Sequence, residues 1–463
     1  MTELKSRIQI ELPEKVKSII EVLSSAGFEA YAVGGCVRDS VLGRVPKDYD
    51  ITTSAKPLEI KSLFRRTVDT GIKHGTVTVL IGDDSYEVTT YRIDTEYEDM
   101  RHPKEVIFTD QLTEDLRRRD FTINAMAYSD KAGLVDEFDG IGCIETRTIK
   151  AVGNAMDRLN EDALRILRAV RFSAELDYEM DDEIKEAIKE LSPNLSNISA
   201  ERICTELVKL LVSDHPDKIR DAYELGITKV ILPEFNVCME TEQNTPYHNA
   251  TVGEHTIKAL MNVNGYKDQF TERENKILKI ATLLHDIAKP ASKTTDPETG
   301  RDHFKMHPEM GVDMSAEIMH RLRLDNDTIS NVKALIKYHD RRPNLTMPTV
   351  RKMIVNVGVE RFPMFMALRF SDTKAQSDYE YDKKVSYLED LNNKYLKVIE
   401  SGDCLSIKDM AVTGKDLISI GITPGPALGD MLDQLFNHVL DVPEHNEKEY
   451  LLRMASKLLQ EKN

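Results

Sequence analysis

The stretch Gly34–Ile51, "GGCVRDSVLGRVPKDYDI", sets a glycine pair and an arginine ahead of two aspartates one residue apart. Glycine lets a backbone approach a phosphate closely. A helix start behind it offers oriented N–H donors, and Arg38 adds a fork-shaped positive charge. Asp48 and Asp50, two apart on a strand, project from the face that Tyr49 avoids. Two hard oxygen ligands so spaced suit Mg²⁺, which also takes phosphates and waters. Read by itself, the segment is equally an ordinary strand-to-helix turn followed by a solvated acidic edge. Its neighbours decide.

Upstream, "VKSIIEVLSSAG" has helical periodicity and stops at Gly27. "EAYAVGG" and "DYDITTS" read as strands, and "HGTVTVLIGDDSYEVTTYR" as a hairpin turning at "GDDS". Glu87, on the second arm, is a candidate third carboxylate. In "EDLRRRDFTINAMAYS" a helix would place Asp120 and Asn124 on one face, beside Arg119. An acid and an amide next to an arginine suit a ribose and a phosphate. In "NEDALRILRAVRF", Asp162 and Arg165 are three apart, and Arg165, Arg168 and Arg171 form a stripe along one helix. An Asp–Arg pair offers acceptors and a guanidinium fork to the edge of a base; the alternative is an internally salt-bridged helix.

In order and spacing, "GGCVRD", "GRVPKDYDI", "RRDFTINAMAY", "DEFDG", "EDALRILRAVRF" and "SAERICTEL" resemble the class II tRNA nucleotidyltransferase and bacterial poly(A) polymerase family over about the first 210 residues. The resemblance implies a DNA-polymerase-β-like head. It implies that Asp48 and Asp50 hold catalytic Mg²⁺ and that Gly35, Arg38 and Arg119 contact the incoming nucleotide. By the same resemblance Asp120 and Asn124 lie by its sugar and phosphates, and Asp162 and Arg165 read the base. Arg168 and Arg171 would support that helix or touch phosphate. The implied reaction is attack of a tRNA 3′-hydroxyl on the α-phosphate of CTP or ATP. Thr95–Leu112 corresponds to the family's flexible loop tied to the switch from C to A.

Beyond about Asp157 the pattern turns almost wholly helical, and histidines enter it. His255, His285, Asp286, His307, His339 and Asp372 lie on or beside predicted helices, where imidazoles and carboxylates converge on metals in bundle cores. The adjacent pair in "IATLLHDIAKP" sits on an apolar helix and needs a partner. The set resembles the HD metal-dependent phosphohydrolase superfamily over Tyr247 to Tyr379. That implies His255, His285, Asp286 and Asp372 as core ligands, with His307 and His339 adding a second metal. His303 and Asp340 are rival neighbours. The ligand types leave several divalent transition metals and Mg²⁺ open. "GITPGPALG" reads as a tight turn before an amphipathic helix, and resembles the family's tRNA-contacting tail.

The expected architecture is α+β: a nucleotidyltransferase head at 1–150, a helical neck at 151–245, an HD domain at 246–380 and a helical tail at 381–463. A chain of 463 residues exceeds the ~250–300 at which one core stops growing. With 41% hydrophobic and 30% charged residues, global disorder is excluded. No apolar run approaches the ~20 residues a membrane helix needs. The amino terminus carries charges throughout, so a cytoplasmic protein is expected. Five scattered cysteines form no C-x-x-C and argue for buried free thiols. The net charge of −17 opposes a nucleic-acid partner unless the cations are clustered, as "LRRRD" and "RLNEDALRILRAVRF" are. The leading expectation is CCA addition to tRNA. A poly(A) polymerase or a partial CC- or A-adding enzyme shares the motifs, although no strongly basic tail is present. An inactive head on an active HD domain is disfavoured by the intact Asp48, Asp50, Arg119, Asp162 and Arg165, and a non-enzymatic RNA-binding protein by its acidic ligands.

Overall fold

A computed structural model describes residues 8–94 and 106–462. The chain divides into two units, Met1–Pro233 and Glu234–Asn463. Residues 95–105, the larger part of the segment compared above with the flexible loop, lie outside the described residues.

Nine strands of the first unit position its site: β1 (Ala30–Val33), β2 (Asp50–Thr53), β3 (Thr67–Gly71), β4 (Thr76–Ile81), β5 (Asp84–Thr90), β6 (Arg92–Asp94), β7 (Val106–Phe108), β8 (Met126–Ser129) and β9 (Gly133–Asp136); a further short parallel pair joins Thr148–Ile149 to Glu179–Met180. Seven form one sheet in the order β3-β4-β5-β2-β1-β8-β9, and β6 pairs with β7. Only β2 and β5 run parallel in the large sheet. The expected hairpin is β4–β5, closed by Gly82 and Asp83, with Gly82 at φ +63° as a tight turn requires. One sheet face is covered by the helix Glu14–Ser25, whose Val16, Ile19, Ile20 and Leu23 pack on Ala32, Ile51, Val77 and Val88. Each such aliphatic burial contributes about 1.5–3 kcal/mol. A smaller cluster of Val33, Tyr91, Leu112, Leu116 and Ala127 includes the helix Leu112–Arg117, whose end leads into Arg118 and Arg119 of "LRRRD".

Helices follow: Ala155–Glu161, Leu164–Leu176, Asp182–Leu191 and Ala200–Val212. The second unit is helical apart from the short pair Thr294–Thr295 and Asp302–His303. Its candidate ligands come from Val252–Val263 (His255), the turn after Glu272–Leu284 (His285, Asp286), the start of His307–Arg321 (His307), the residue after Asn326–Tyr338 (His339) and Phe362–Ala375 (Asp372). The turn at 421–425 leads into Pro426–Asp441, whose apolar side forms a separate core with Leu417 and Leu451. All five cysteines are buried and unbridged. Among the described residues no helix is long and apolar enough to cross a membrane.

Candidate functional sites

In the head, β1 delivers Gly34 and Gly35 beside β2, since Val33 pairs with Asp50. Gly34 has φ +83°, and a β-carbon there would lie 2.9 Å from Arg119 Nη1. Both the dihedral and the close approach therefore select glycine. Asp50 opens β2, and Asp48 precedes the strand rather than lying on it. Even so, both aspartates line the same cleft of about 710 Å³ with Gly35, Arg38, Arg119, Asp120, Asn124, Arg168 and Arg171. The parallel register of Ile51 with Val88 carries Glu87 next to Asp50. Burial raises the pKa of Asp50, and Asp48 adds to this against Arg119. Burial, then Asp50 and Asp48, raise Glu87. With Asp48 beside them, these carboxylates form a set that a hard cation fits.

The cations are held in place by carboxylates. Arg38 donates to Asn124 Oδ1 at 2.8 Å and to Asp39 at 2.8 Å, and Asn124 donates to Asp120 at 3.2 Å. Arg168 donates to the other Asp120 oxygen at 2.8 Å. Burial would raise the Asp120 carboxyl, but Arg168 and Arg165 outweigh it and hold it well below the usual range. Asp120 and Asn124 meet across a turn and a single 3₁₀ turn, not along the helix expected from their spacing: the helix ends at Arg117. Arg118 and Arg119 are braced by Asp115, which is fully buried and also accepts from Thr52 at 2.9 Å. Arg38, Arg168 and Arg171 surround the Phe172 ring at 5.0, 5.3 and 3.9 Å from its centroid. Asp115 and Phe172 escaped the sequence reading. The i, i+3 and i, i+4 spacing of Asp115 to Arg118 and Arg119 was a usable signal. Nothing local marked Phe172.

The Asp162–Arg165 pair requires a correction. The chain does not run as one helix through it: Ala155–Glu161 ends and Leu164–Leu176 begins, with extended dihedrals at Asp162. Asp162 accepts from the Leu164 N–H at 3.0 Å and from Arg202 at 2.9 Å. An aspartate that satisfies the first backbone N–H groups starts a new helix, so the uninterrupted periodicity hid the break. Arg165 turns to Glu161 at 2.5 Å and to the Arg118 carbonyl at 3.1 Å. The expected stripe thus splits: Arg168 and Arg171 line the cleft with the aspartates, and Arg165 does not.

In the second unit, two sets of candidate ligands share Asp286: His255 and His285 on one side, His307 and His339 on the other. All five are buried. Asp372 accepts from His255 at 2.9 Å and lies 3.7 Å from His285 Nε2. His285, His307 and His339 each set Nδ1 2.7 Å from a backbone carbonyl, of Thr282, Phe304 and Ile336. A carbonyl only accepts, so Nδ1 carries the proton and Nε2 is turned inward. His307 Nε2 and His339 Nε2 stand 3.2 Å apart, each within 3.5 Å of Asp286 Oδ1. His285 Nε2 is buried without a hydrogen-bond partner. Burial opposes a charge on His285, yet Asp286 and Asp372 outweigh it and lift the imidazole to about 10. Against their own burial, Asp286 is held far below the usual range by His285 and Lys289, and Asp372 by the hydrogen bond of His255 and the nearby His285 imidazole. Lys289 sits 2.7 Å from Asp286. Inward imidazole nitrogens converging on a shared buried carboxylate fit a metal, and nitrogen-rich donors favour a transition metal. His303 and Asp340 line the cleft above but belong to neither set. The sequence reading missed His248, which packs against His255 with ring centroids 4.7 Å apart.

The two centres define the class: a nucleotidyltransferase head joined to an HD-type domain. The family model "Poly A polymerase head domain" matches residues 30–150, "HD domain" matches 252–358, and a model of tRNA nucleotidyltransferase domain 2 matches 308–455. The CCA-adding enzyme of Enterococcus faecalis is 34% identical over 441 residues, 95% of this chain and 94% of the relative. That of Ligilactobacillus salivarius is 34% identical over 456 residues, 97% of each. The crystal structure of the Bacillus stearothermophilus CCA-adding enzyme in complex with CTP matches with TM-score 0.72 at 28% identity, covering 98% of this chain and all of that one. A Thermotoga maritima CCA-adding enzyme complexed with tRNA shares the fold, with TM-score 0.60 and 22% identity, over 99% of this chain and 98% of that one. The chain belongs to the CCA-adding enzyme family of tRNA nucleotidyltransferases.

Proposed function

We propose that this protein adds CCA to the 3′ end of tRNA, without a template, from CTP and ATP, releasing pyrophosphate. The observation that carries this reading is the alignment of nearly the whole chain with CCA-adding enzymes, together with one cleft that gathers paired carboxylates and arginines. Asp48 and Asp50, with Glu87, would hold Mg²⁺. A bound metal there would stabilise negative charge on the reacting phosphate oxygens. Gly34 and Gly35 bring the backbone close to the phosphates, and Arg38, Arg119, Arg168 and Arg171 neutralise and orient them. Asp120 and Asn124 fix Arg168 and Arg38 and face the sugar. Asp162 and Arg165 read the base edge, exchanging Arg202 and Glu161 for the nucleotide. Side chains that would otherwise be left unpaired reject a wrong base strongly. The helical tail from 381 contacts the tRNA body, and the reaction takes place in the cytoplasm. Purified protein given tRNA lacking its 3′ end, tRNA ending in CC, and an unrelated RNA, with CTP, ATP or both, tests this. Completion to CCA on tRNA alone is expected. Long A tails on any RNA would overturn it in favour of a poly(A) polymerase.

The 246–380 region is a phosphohydrolase acting on damaged tRNA 3′ ends, such as a 2′,3′-cyclic phosphate. His255, His285, Asp286 and Asp372 would hold one transition metal, and His307 and His339, with Asp286, a second. A bound metal there would supply an activated water. Lys289 steadies Asp286. Hydrolysis of cyclic phosphates after addition of Mn²⁺ or Ni²⁺, lost in His285→Ala, is the expected result. Failure with every metal would end this reading.

A further inference from the structure

The cleft above the histidine centre encloses about 550 Å³, a size that takes one small ligand. At its rim the Tyr247 and Tyr379 rings meet edge to face, with centroids 5.2 Å apart at 78°. Tyr247 and Tyr379 are 40% and 48% exposed. They gain little by burial, yet their backbones are tightly tied. Ser377 donates its N–H to the Tyr247 carbonyl at 2.8 Å and its hydroxyl to the Pro246 carbonyl at 2.6 Å, and the same hydroxyl accepts from the Tyr379 N–H at 3.3 Å. The same cleft is lined by the buried Lys289, by Arg301, Lys305 and Arg342 at the surface, and by Asp302 and Asp340. The His248 ring lines the same cleft, and its buried Nδ1 has no hydrogen-bond partner. One cleft thus joins an exposed aromatic pair, cations and buried imidazoles, groups suited to a base and to a phosphate.

We propose that Tyr247 and Tyr379 are a stacking platform for the base of a nucleotide phosphoester whose phosphate enters the histidine centre. This rests on reading the cleft as a phosphohydrolase site. It adds that the site selects nucleotides over other phosphate esters. Stacking on an aromatic platform tolerates every base, so recognition extends to any nucleoside. Both a free nucleotide and the last residue of an RNA present this chemistry.

Calorimetric titration of the full chain with Mn²⁺ tests the platform, using cytidine 3′-monophosphate against ribose 5-phosphate. The nucleotide is expected to bind about 10- to 100-fold more tightly. Tyr247→Ala/Tyr379→Ala should erase that ratio, and Tyr247→Phe/Tyr379→Phe should keep it. The head's own affinity for nucleotides is common to all variants, so only differences between them are read. If the alanine pair melts below the parent, Tyr379→Ser alone takes its place. A short RNA ending in a 3′-phosphate separates the sources: equal dependence on the tyrosines assigns the platform to RNA ends, and dependence limited to the mononucleotide assigns it to free nucleotides. Equal affinity for nucleotide and ribose phosphate, or an unchanged ratio in the alanine and serine variants, overturns the proposal. Nucleotide preference without hydrolysis would end the phosphohydrolase reading and keep the platform; hydrolysis without preference would do the reverse.

Discussion

In the head, Asp48, Asp50 and Glu87 line open clefts, and the pKa values of Asp50 and Glu87 are raised by burial and by neighbouring acids. In the second unit, Asp286 and Asp372 are far more enclosed, yet they stay ionised because imidazoles and Lys289 surround them. The same side chain, an aspartate, is thus short of positive charge in one place and well supplied in the other. The head needs a cation from outside to complete its charge balance. The histidine centre carries cationic groups of its own, and a metal arriving there competes with protons and with Lys289. Hard oxygen donors against a nitrogen-rich set also separate the metals each would choose.

The strongest way to break this contrast is Asp50→Ala. Incorporation of CTP, followed by rapid quench, should fall by about a thousand-fold, ~4 kcal/mol of barrier. A loss under tenfold would mean that the acid cluster is surface decoration. Next, Arg165→Ala should shift the kcat/KM ratio for CTP or ATP over the other two nucleotides by roughly a hundred-fold, with little change in tRNA affinity. The reverse pattern would remove Arg165 from base reading. For the other centre, His285→Ala should weaken Mn²⁺ binding by about 10- to 100-fold in calorimetry while CTP addition by the head persists. Loss of both would mean that the centres are not independent.

The smallest effect is on pH. Asp50 and Glu87 have folded pKa values above their unfolded ones, so the folded head takes up protons as pH falls. Their charged forms oppose folding at neutral pH, and that penalty disappears as pH drops through the folded values. Asp50→Asn should therefore raise the unfolding temperature in Mg²⁺-free buffer at pH 7, by an amount that shrinks on acidification. Asp120, lowered by Arg168 and Arg165, has the opposite sign. Its contribution is present above the usual aspartate value and is lost as pH falls below it, so Asp120→Asn should cost stability most at neutral pH. Melting curves across pH check both signs.

Much of this was legible from local pattern. The strand, glycine turn and short helix at Ala30–Val41 follow from alternation and from Gly34, and the β4–β5 hairpin from "GDD". The resemblance to the HD superfamily marked the residues that converge on Asp286. What escaped depends on contacts distant in sequence. Glu87 could be offered only as a guess, because its place beside Asp50 is set by the parallel β2–β5 register, and strand alternation does not encode register. The break at Asp162 was hidden because Leu164, Ile166 and Leu167 continue the periodicity of the preceding helix; the capping aspartate was the overlooked signal. Phe172 looked like any core position until three arginines from two segments closed around it.

Those arginines carry one more consequence. Each is tethered to an acid: Arg38 to Asp39, Arg168 to Asp120, Arg171 to Glu175. In a chain of net charge −17, cations balanced one by one project little field into solvent, so long-range attraction of a polyanion is weak. Their geometry is nevertheless fixed before any phosphate arrives. In the proposed function, such a cleft would govern how long a triphosphate stays more than how fast it comes, and the departing pyrophosphate would meet the same grip.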